Sequence, residues 1–342
     1  MTLDGSQRPP LDPEDVALFA RAGAAEFSPP PTPPGGRAEP AIVLTQQRLD
    51  FATAALYQQL LRRPANREFM DAVLSGRTIP PPEPPLVGIV PGAFYRQHRN
   101  TGADGARVLN IVRQIGFRAE LIPVRSFGRL TENAALIRAW VRRQGNRPLA
   151  LIALSKGAAD CQIALAGPGL EGDPVRAWIN LSGLVDGTPL IAWLRRQPLR
   201  MLGVRLLLGL RGQSFAAADD LRHGAAAPLS FWPPLPTALK LVHVLAFPLR
   251  RHLRHPWAGR AYERLAPLGP NDGGGILLED SLGWPGIACP VWGADHYLEP
   301  AWDATPFLRN VLLAALAPTA GPPQASASAA APSIAPATRS TK

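Results

Sequence analysis

The chain contains 342 residues, of which 46% are hydrophobic and 18% charged, a balance that suits a folded globular protein and excludes wholesale disorder. No run of about eighteen apolar residues occurs and only two cysteines are present, which argues against an integral membrane protein, a disulfide framework and a cysteine zinc cage. The net charge is +10, but the 36 basic residues include only three lysines, and this excess of arginine is typical of a GC-rich bacterial genome rather than of nucleic-acid binding.

The two ends of the chain lack the apolar density of a packed core. Residues 1–40 are rich in proline, and residues 318–342 consist largely of alanine, proline and serine. Because such segments bury too little apolar surface to offset the entropy of ordering, we expect the first to be mobile and the second to be disordered. The opening sequence MTLDGSQRPP has neither the basic nor the apolar region of a secretory signal, so we expect a cytoplasmic protein.

Between these ends, the pattern of apolar residues predicts an α/β fold. Two helices are predicted within 46–76, and from residue 86 apolar strands alternate with amphipathic helices. The predicted strands cover 86–90, 119–124, 149–154, 177–181 and 287–292, and the predicted helices cover 103–115, 131–144, 156–165 and 305–316. This alternation indicates a mostly parallel sheet flanked by helices on both faces, with a core formed by residues 41–186 and 266–317.

The alternation stops in residues 187–265, which hold leucine-rich pieces, proline breaks and twelve Lys/Arg against three acidic residues. We predict that this segment is a basic, hydrophobic helical cap, or lid, inserted in the α/β frame. It could contact an anionic membrane peripherally or admit acyl chains. The five-residue spacing of Arg195, Arg200 and Arg205 does not place them on one helical face, which favours a second interpretation, a cap whose arginines are merely its solvated surface.

The most informative motif is an apolar strand that runs directly into Ser155 and is followed at once by a helix. A nucleophilic serine needs a sharp strand-to-helix turn with small neighbours, which are here Ala153 and Gly157, and the helix N-terminus helps to stabilise negative charge. A serine that only caps an ordinary helix would give the same local pattern.

The motif resembles the nucleophile elbow of the α/β-hydrolase superfamily, G-x-S-x-G, with Ala153 in place of the first glycine. The resemblance extends over roughly residues 86–316. In this superfamily the serine is followed along the chain by an acid and then by a histidine, each after a late strand, with a lid often placed before the acid. The resemblance therefore implies Ser155 as nucleophile, Asp272 as acid and His296 as base. Asp186 remains a rival acid, whereas Asp295 adjoins the histidine and should point elsewhere.

The same resemblance implies an oxyanion hole made of two backbone N–H groups. One belongs to Lys156, the residue after the nucleophile. The other should come from the loop after the first strong strand, where Pro91 stands in place of the histidine that the superfamily usually carries before a glycine. The expected second donor is the amide of Ala93 or Phe94.

These residues imply a serine hydrolase of the esterase, lipase or thioesterase type, acting on a small-molecule or lipid-like ester with a hydrophobic acyl group. Two alternatives remain open: an inactive hydrolase scaffold that binds a membrane or partner through its basic cap, and an acyltransferase with the same triad. We expect no cofactor and no metal. His252 and His255 are three residues apart but lack a nearby acidic or cysteine ligand, and no nucleic-acid-binding module is present.

Overall fold

The computed structural model of the protein describes residues 11–23, 46–78, 80–98, 101–166, 174–235, 239–298 and 303–317. Residues 318–342, predicted to be disordered, lie outside the described residues, as does most of the segment 1–40. Within that segment, however, residues 13–22 form a helix whose first turn is capped by the carboxylate of Asp12, which accepts the N–H of Asp15 at 2.7 Å. Its apolar residues Leu18 and Ala22 are buried, so the predicted mobility does not extend to this helix.

The described strands form one six-stranded sheet in which every neighbouring pair is parallel, in the order β2-β1-β3-β4-β5-β6. The strands are β1 (Leu86–Val90), β2 (Ala119–Leu121), β3 (Leu149–Leu154), β4 (Val175–Leu181), β5 (Lys240–Phe247) and β6 (Ile287–Trp292). The helices are α1 (Pro13–Ala22), α2 (Gln46–Arg62), α3 (Pro64–Ser75), α4 (Ala106–Gln114), α5 (Leu130–Arg143), α6 (Lys156–Ala166), α7 (Leu190–Arg195), α8 (Pro198–Leu210), α9 (Ala216–Asp219), α10 (Pro256–Leu265) and α11 (Thr305–Leu316). The predicted fold class is confirmed.

Helices cover both faces of the sheet because alternate strand residues point to opposite sides. In β3, for example, Leu149 and Leu151 join a hydrophobic cluster with α1, α2, α5 and α6, whereas Ala150 and Ile152 join a second cluster with α3, α4 and α11. The strands are therefore apolar along nearly their whole length, as expected for a parallel sheet buried on both faces. This arrangement leaves the carboxyl ends of the strands as the edge where loops can present polar side chains.

Part of the predicted cap belongs to the sheet. Residues 240–247 form β5, which lies between β4 and β6, so the helical cap predicted over 187–265 does not include this stretch. His243, in the middle of β5, is 1% exposed and contacts the side-chain amide of Asn180 and the carbonyl oxygen of Pro285. Burial lowers the pKa of His243 to about 4, so this histidine is neutral in the fold and serves as a core residue.

Candidate active site

Ser155 occupies the sharp turn between β3 and α6. Its φ angle is 48°, in the left-handed region that non-glycine residues seldom adopt. The turn is fixed by backbone hydrogen bonds, in which the N–H of Ser155 donates to the carbonyl oxygen of Leu181 at 3.0 Å and its own carbonyl oxygen accepts from the N–H groups of Leu184 and Ala158. A strained residue held on both sides by neighbouring backbone is typical of functional turns.

Close packing at this turn explains the small residue that follows the serine. A Cβ atom on Gly157 would lie 2.6 Å from the carbonyl oxygen of Val90 and 2.7 Å from that of Pro91, both in the backbone and unable to move aside cheaply. Ala153, which replaces the first glycine of the motif, is fully buried in β3. The structure thus requires glycine at position 157, two residues after the serine, and accommodates alanine at position 153, two residues before it.

The structure brings Ser155, His296 and Asp272 together. The Nε2 atom of His296 lies 2.9 Å from the hydroxyl oxygen of Ser155, and its Nδ1 atom lies 2.5 Å from Oδ2 of Asp272. The backbone N–H of His296 also donates to the carbonyl oxygen of Asp272 at 2.8 Å. Three residues distant in the chain therefore form one hydrogen-bonded series at the carboxyl edge of the sheet.

The carboxylate of Asp272 is fully buried and every side-chain oxygen has a partner. Its Oδ1 atom accepts the backbone N–H groups of Gly274, Gly275 and Ile276 at 2.8, 2.9 and 3.0 Å. Burial by itself raises the pKa of Asp272, but the charge and hydrogen bond of His296 and these backbone donors outweigh it, so the pKa lies below its usual value. The group is ionised at neutral pH.

The pKa of His296 moves the other way. Burial lowers it, but the charge of Asp272, the hydrogen bond to that carboxylate and the charge of Asp295 outweigh burial and raise the pKa above its ordinary value. An imidazole between a carboxylate and a hydroxyl can accept a proton from the hydroxyl while the carboxylate stabilises the resulting cation.

Gly274 makes room for the imidazole. A Cβ atom on this residue would lie 1.9 Å from Cγ of His296, well inside any permitted contact. Gly274 was not among the site residues predicted from the sequence. The run of three glycines directly after Asp272 was the available signal, since an acid loop that must donate several N–H groups and approach a ring closely favours residues without side chains.

The two other acids have different partners. Asp186 accepts a hydrogen bond from the indole N–H of Trp284, and burial raises the pKa of Asp186 to about 6. Asp295 accepts the backbone N–H of Tyr297 at 3.0 Å. Of the three acids considered from the sequence, Asp272 is the one that hydrogen-bonds to the ring of His296.

Of the three predicted oxyanion donors, one N–H group already donates to a backbone carbonyl oxygen, and the other two have no acceptor among the described residues. The N–H of Phe94 donates to the carbonyl oxygen of Ser126 at 2.8 Å, so the prediction of a donor at this residue is wrong. Across the described chain, the N–H groups of Ala93 and Lys156 have no acceptor. Lys156 opens α6, where first-turn amides lack intrahelical partners. A Cβ atom on Gly92 would lie 3.4 Å from Cβ of Ser155, which places the Ala93 loop beside Ser155.

No family model and no curated protein sequence matches the chain. Among solved structures it is similar to a metagenomic carboxyl esterase, with 20% identity, a TM-score of 0.47, and coverage of 70% of this chain and 77% of the other. It is similar to the mature lipase BlEst2 of Bacillus licheniformis, with 19% identity, a TM-score of 0.44, and coverage of 64% and 88%. It is also similar to an extracellular α/β-hydrolase from a Paenibacillus species, with 11% identity, a TM-score of 0.40, and coverage of 68% and 99%.

These similarities are distant and give no information about the substrate. The fold itself is decided by the parallel sheet order together with the left-handed serine between β3 and α6. The chain has an α/β-hydrolase fold. In this fold the inserted residues 188–239 separate β4 from β5, and Asp272 follows β5 and α10, so the insertion precedes the strand that leads to the candidate acid.

A buried ion pair holds the first turn of α6 behind the serine. The side chain of Lys156 is 1% exposed, and its Nζ atom lies 2.6 Å from Oδ1 of Asp160. The other oxygen of Asp160 accepts from the side-chain amide of Asn133 at 2.9 Å. Burial raises the pKa of Asp160 to about 6 in spite of the opposing charge of Lys156. Because the pair is closed to solvent, removal of one partner leaves the other without compensation.

We expect Asp160→Leu to destabilise the protein by about 3–5 kcal/mol, since it leaves an unpaired ammonium group in the core. The double variant Lys156→Met/Asp160→Leu should recover most of this loss, because it removes both charges and keeps the apolar volume. Urea unfolding of the wild type and both variants measures the difference. Equal destabilisation by the single and the double variant would contradict this account of the pair.

A cavity of about 400 Å³ opens at Ser155 and His296. Its lining is mainly apolar and comes from the loop after β1, from α4 and α11, and from the loop that carries the histidine. Arg107 and His98 add polar groups to this wall. Among the residues described in 187–265, only Trp257 lines the cavity. Apart from Trp257, the cap residues that the structure describes therefore do not contribute to the wall of this cavity.

Asp12, Asp15 and His252 bring potential metal ligands within 4.8 Å of one another, a grouping that was not predicted from the sequence. The guanidinium of Arg251 occupies this cluster and forms ion pairs with Asp15, with Asp12 at 3.6 Å and with Glu14 at 3.6 Å. An arginine that neutralises the carboxylates explains the cluster as an anchor that ties α1 to the segment before α10.

Proposed function

We propose that the protein is a serine hydrolase that cleaves a carboxylic ester or thioester with a hydrophobic acyl group. The observation that supports this best is the hydrogen-bonded series from Asp272 through His296 to Ser155 at the opening of an apolar cavity. A serine hydroxyl is a weak nucleophile unless a base removes its proton, and the base needs an acid to fix its tautomer.

In the proposed reaction, Oγ of Ser155 attacks the carbonyl carbon while Nε2 of His296 accepts the hydroxyl proton. Asp272 holds the Nδ1–H and stabilises the imidazolium that forms. The developing oxyanion accepts hydrogen bonds from the N–H groups of Ala93 and Lys156. When the intermediate collapses, the imidazolium donates its proton to the departing alcohol or thiol. Water, activated by the same histidine, then hydrolyses the acyl-enzyme and regenerates the serine.

The size and the apolar lining of the cavity favour a substrate with an apolar acyl group. Its volume of about 400 Å³ lies in the range of small-molecule sites, and its walls include Leu154, Leu181 and Leu184 close to the nucleophile. We therefore expect kcat/KM to rise along a series of nitrophenyl esters from acetyl to longer acyl chains and to fall once the chain exceeds the cavity. A flat profile would contradict the assignment of this cavity to the acyl group.

A fluorophosphonate probe tests the nucleophile directly, because it reacts covalently with activated serines. We expect the wild type to be labelled and Ser155→Ala to be unlabelled, with ester hydrolysis reduced by roughly 10⁴-fold or more. Ser182 provides a matched control: it also has a left-handed φ, of 47°, at the end of the neighbouring strand, but its hydroxyl is buried and has no hydrogen-bond partner among the residues that the structure describes. Ser182→Ala should be labelled like the wild type, and labelling of Ser155→Ala would refute the proposal.

The pH dependence follows from the proposed base. His296 accepts a proton only when neutral, and its pKa lies above the ordinary value for histidine. The imidazolium therefore persists to higher pH than in a free histidine, and kcat/KM should fall as the pH decreases through that raised value. We expect the midpoint of the acid limb to lie above pH 6.5. A pH profile of kcat/KM with a soluble ester measures it, and a midpoint near 4 would instead assign the titration to a carboxylate.

A further inference from the structure

Helix α8 has its apolar face turned toward solvent. Of its thirteen residues only Leu208 is buried, with Met201 and Val204 partly covered on the same side. The opposite side carries a row of leucines at helical spacing whose exposed fractions are unusually high: Leu199 84%, Leu202 55%, Leu206 61% and Leu210 87%. Monomeric soluble proteins rarely expose a contiguous apolar patch of this kind, and where they do it marks an interaction surface.

Arginines flank this row of leucines. Arg200 and Arg205 project from α8 between the exposed and covered sides, and Arg211 follows its last turn. In the part of the chain that the structure describes, none of these three arginines forms an ion pair with a carboxylate. The row of leucines is therefore apolar, and the long side chains of the arginines beside it carry positive charge. Such a surface is complementary to a partner that is both apolar and anionic.

The basic character continues onto α10. The guanidinium groups of Arg200 and Arg264 lie over the ring of Trp193, at 5.4 Å and 4.1 Å from its centroid. Burial lowers the pKa of Arg264, and the like charges of Arg200 and Arg260 lower it further, so these three cations lie close enough to repel one another. An anionic partner that approaches these three cations stabilises them, because it offsets their mutual repulsion.

This surface reaches the opening of the candidate active site. Arg260 lies over the ring of Trp257, at 5.5 Å from its centroid. Trp257 is 56% exposed and also lines the cavity that contains Ser155. Helix α10 therefore connects the arginine cluster beside α8 with the cavity wall.

We propose that α8 and the adjoining arginines of α10 form a docking surface for an anionic lipid bilayer, with the cavity opening beside the lipid. A second copy of the chain is a poorer occupant, because a two-fold interface would place this arginine-rich surface against itself. Thirteen residues of helix span about 20 Å, too short to cross a hydrocarbon core of about 30 Å, so the helix would lie in the interface. The docking itself does not depend on the proposed function. The further statement that the docked enzyme takes its ester from the bilayer rests on the proposed function.

Co-sedimentation with vesicles tests the docking surface. We expect the full chain to bind vesicles of phosphatidylcholine and phosphatidylglycerol, mixed about three to one, and to bind pure phosphatidylcholine at least roughly tenfold more weakly. Leu199→Ser/Leu202→Ser/Leu206→Ser should lose binding to both. Arg200→Gln/Arg264→Gln should weaken binding to the anionic vesicles by roughly thirtyfold while changing binding to pure phosphatidylcholine little.

The control is a triple variant of leucines exposed elsewhere, Leu121→Ser/Leu136→Ser/Leu268→Ser, which should bind like the wild type. An equal loss in this control, or no binding by the wild type, would overturn the proposal. A dimer detected by light scattering that the α8 variant abolishes, without vesicle binding, would assign the surface to a second copy instead.

Two further measurements separate this proposal from the proposed function. Without vesicles, the α8 triple variant should hydrolyse a soluble short-chain ester and react with the fluorophosphonate probe like the wild type. Ser155→Ala should bind anionic vesicles normally. Loss of labelling in the α8 variant would show damage to the fold rather than to docking, and the α8 row would then have to be tested by single substitutions in the same assay.

Discussion

Replacing Asp272 with asparagine should lower kcat/KM for a soluble ester by roughly 10⁴-fold while leaving the fold intact. The reason lies in the partners of the carboxylate. Oδ1 of Asp272 already accepts three backbone N–H groups, so an asparagine must keep its carbonyl oxygen there and turn its NH₂ toward His296. The Nδ1 atom of the ring would then have to accept a hydrogen bond, which places the proton on Nε2. In that tautomer the ring cannot take the proton of Ser155.

The matched control is Asp186→Asn. Asp186 is half-buried, and burial raises its pKa, but its carboxylate accepts from the indole of Trp284 rather than from the ring of His296. We expect kcat/KM to change by less than about threefold, since the histidine keeps its tautomer. A loss in Asp186→Asn as large as that in Asp272→Asn would reverse the assignment of the acid. Urea unfolding of both variants distinguishes lost catalysis from lost structure.

The order of elements was predictable from sequence because continuous apolar strands and amphipathic helices have different periods. Ser155, Asp272 and His296 could be selected because the strand–serine–helix motif resembles the nucleophile elbow, and the resemblance implies an acid and then a histidine after late strands. Their roles as nucleophile, acid and base stay predictions until they are measured. The distances between these three side chains depend on backbone contacts that no local sequence pattern encodes. One example is the hydrogen bond from the N–H of His296 to the carbonyl oxygen of Asp272.

The failures have separate physical causes. Strand β5 was missed because its short apolar run begins at Lys240, contains His243 and adjoins a proline-rich stretch, so it resembled the basic insertion around it. The resemblance left Ala93 and Phe94 as alternative donors, and sequence could not exclude Phe94 because its acceptor, the carbonyl oxygen of Ser126, lies in a loop distant in sequence. Helix α1 was overlooked because it is short and lies within proline-rich sequence, and its anchoring by Arg251 is a long-range contact.

The position of the cavity relative to the cap could also not be predicted from the sequence. The cap was expected to admit acyl chains because it is both basic and apolar and stands where the superfamily often carries a lid. The structure instead turns the leucines of α8 outward and leaves Trp257 as the described residue of 187–265 that lines the cavity. Which side of a helix faces the core depends on the neighbours it meets, and a helix with apolar residues on both sides does not reveal this by its pattern.

Gly274→Ala should abolish ester hydrolysis almost as fully as loss of the serine, although it adds a single methyl group. The added Cβ atom would lie 1.9 Å from Cγ, 2.2 Å from Cβ and 2.4 Å from Cδ2 of His296, so either the imidazole or the loop that holds Asp272 must move. Movement of the loop withdraws the N–H of Gly274 from the carboxylate, and movement of the ring breaks its contacts with Ser155 and Asp272. We expect kcat/KM to fall by roughly 10³-fold or more, because a displacement of about 1 Å alone costs about 10²-fold and here two catalytic contacts are broken.

Gly283→Ala is the control, since a Cβ atom there meets nothing within 4 Å. It should keep wild-type kcat/KM and fluorophosphonate labelling, whereas Gly274→Ala should be labelled far more slowly. Circular dichroism and urea unfolding should show that the Gly274 variant is still folded, because the clash is confined to one loop and one ring. Near-normal activity in a folded Gly274→Ala protein would mean that the ring of His296 does not have to stay where the structure places it, and the acid–base role assigned to it would fail.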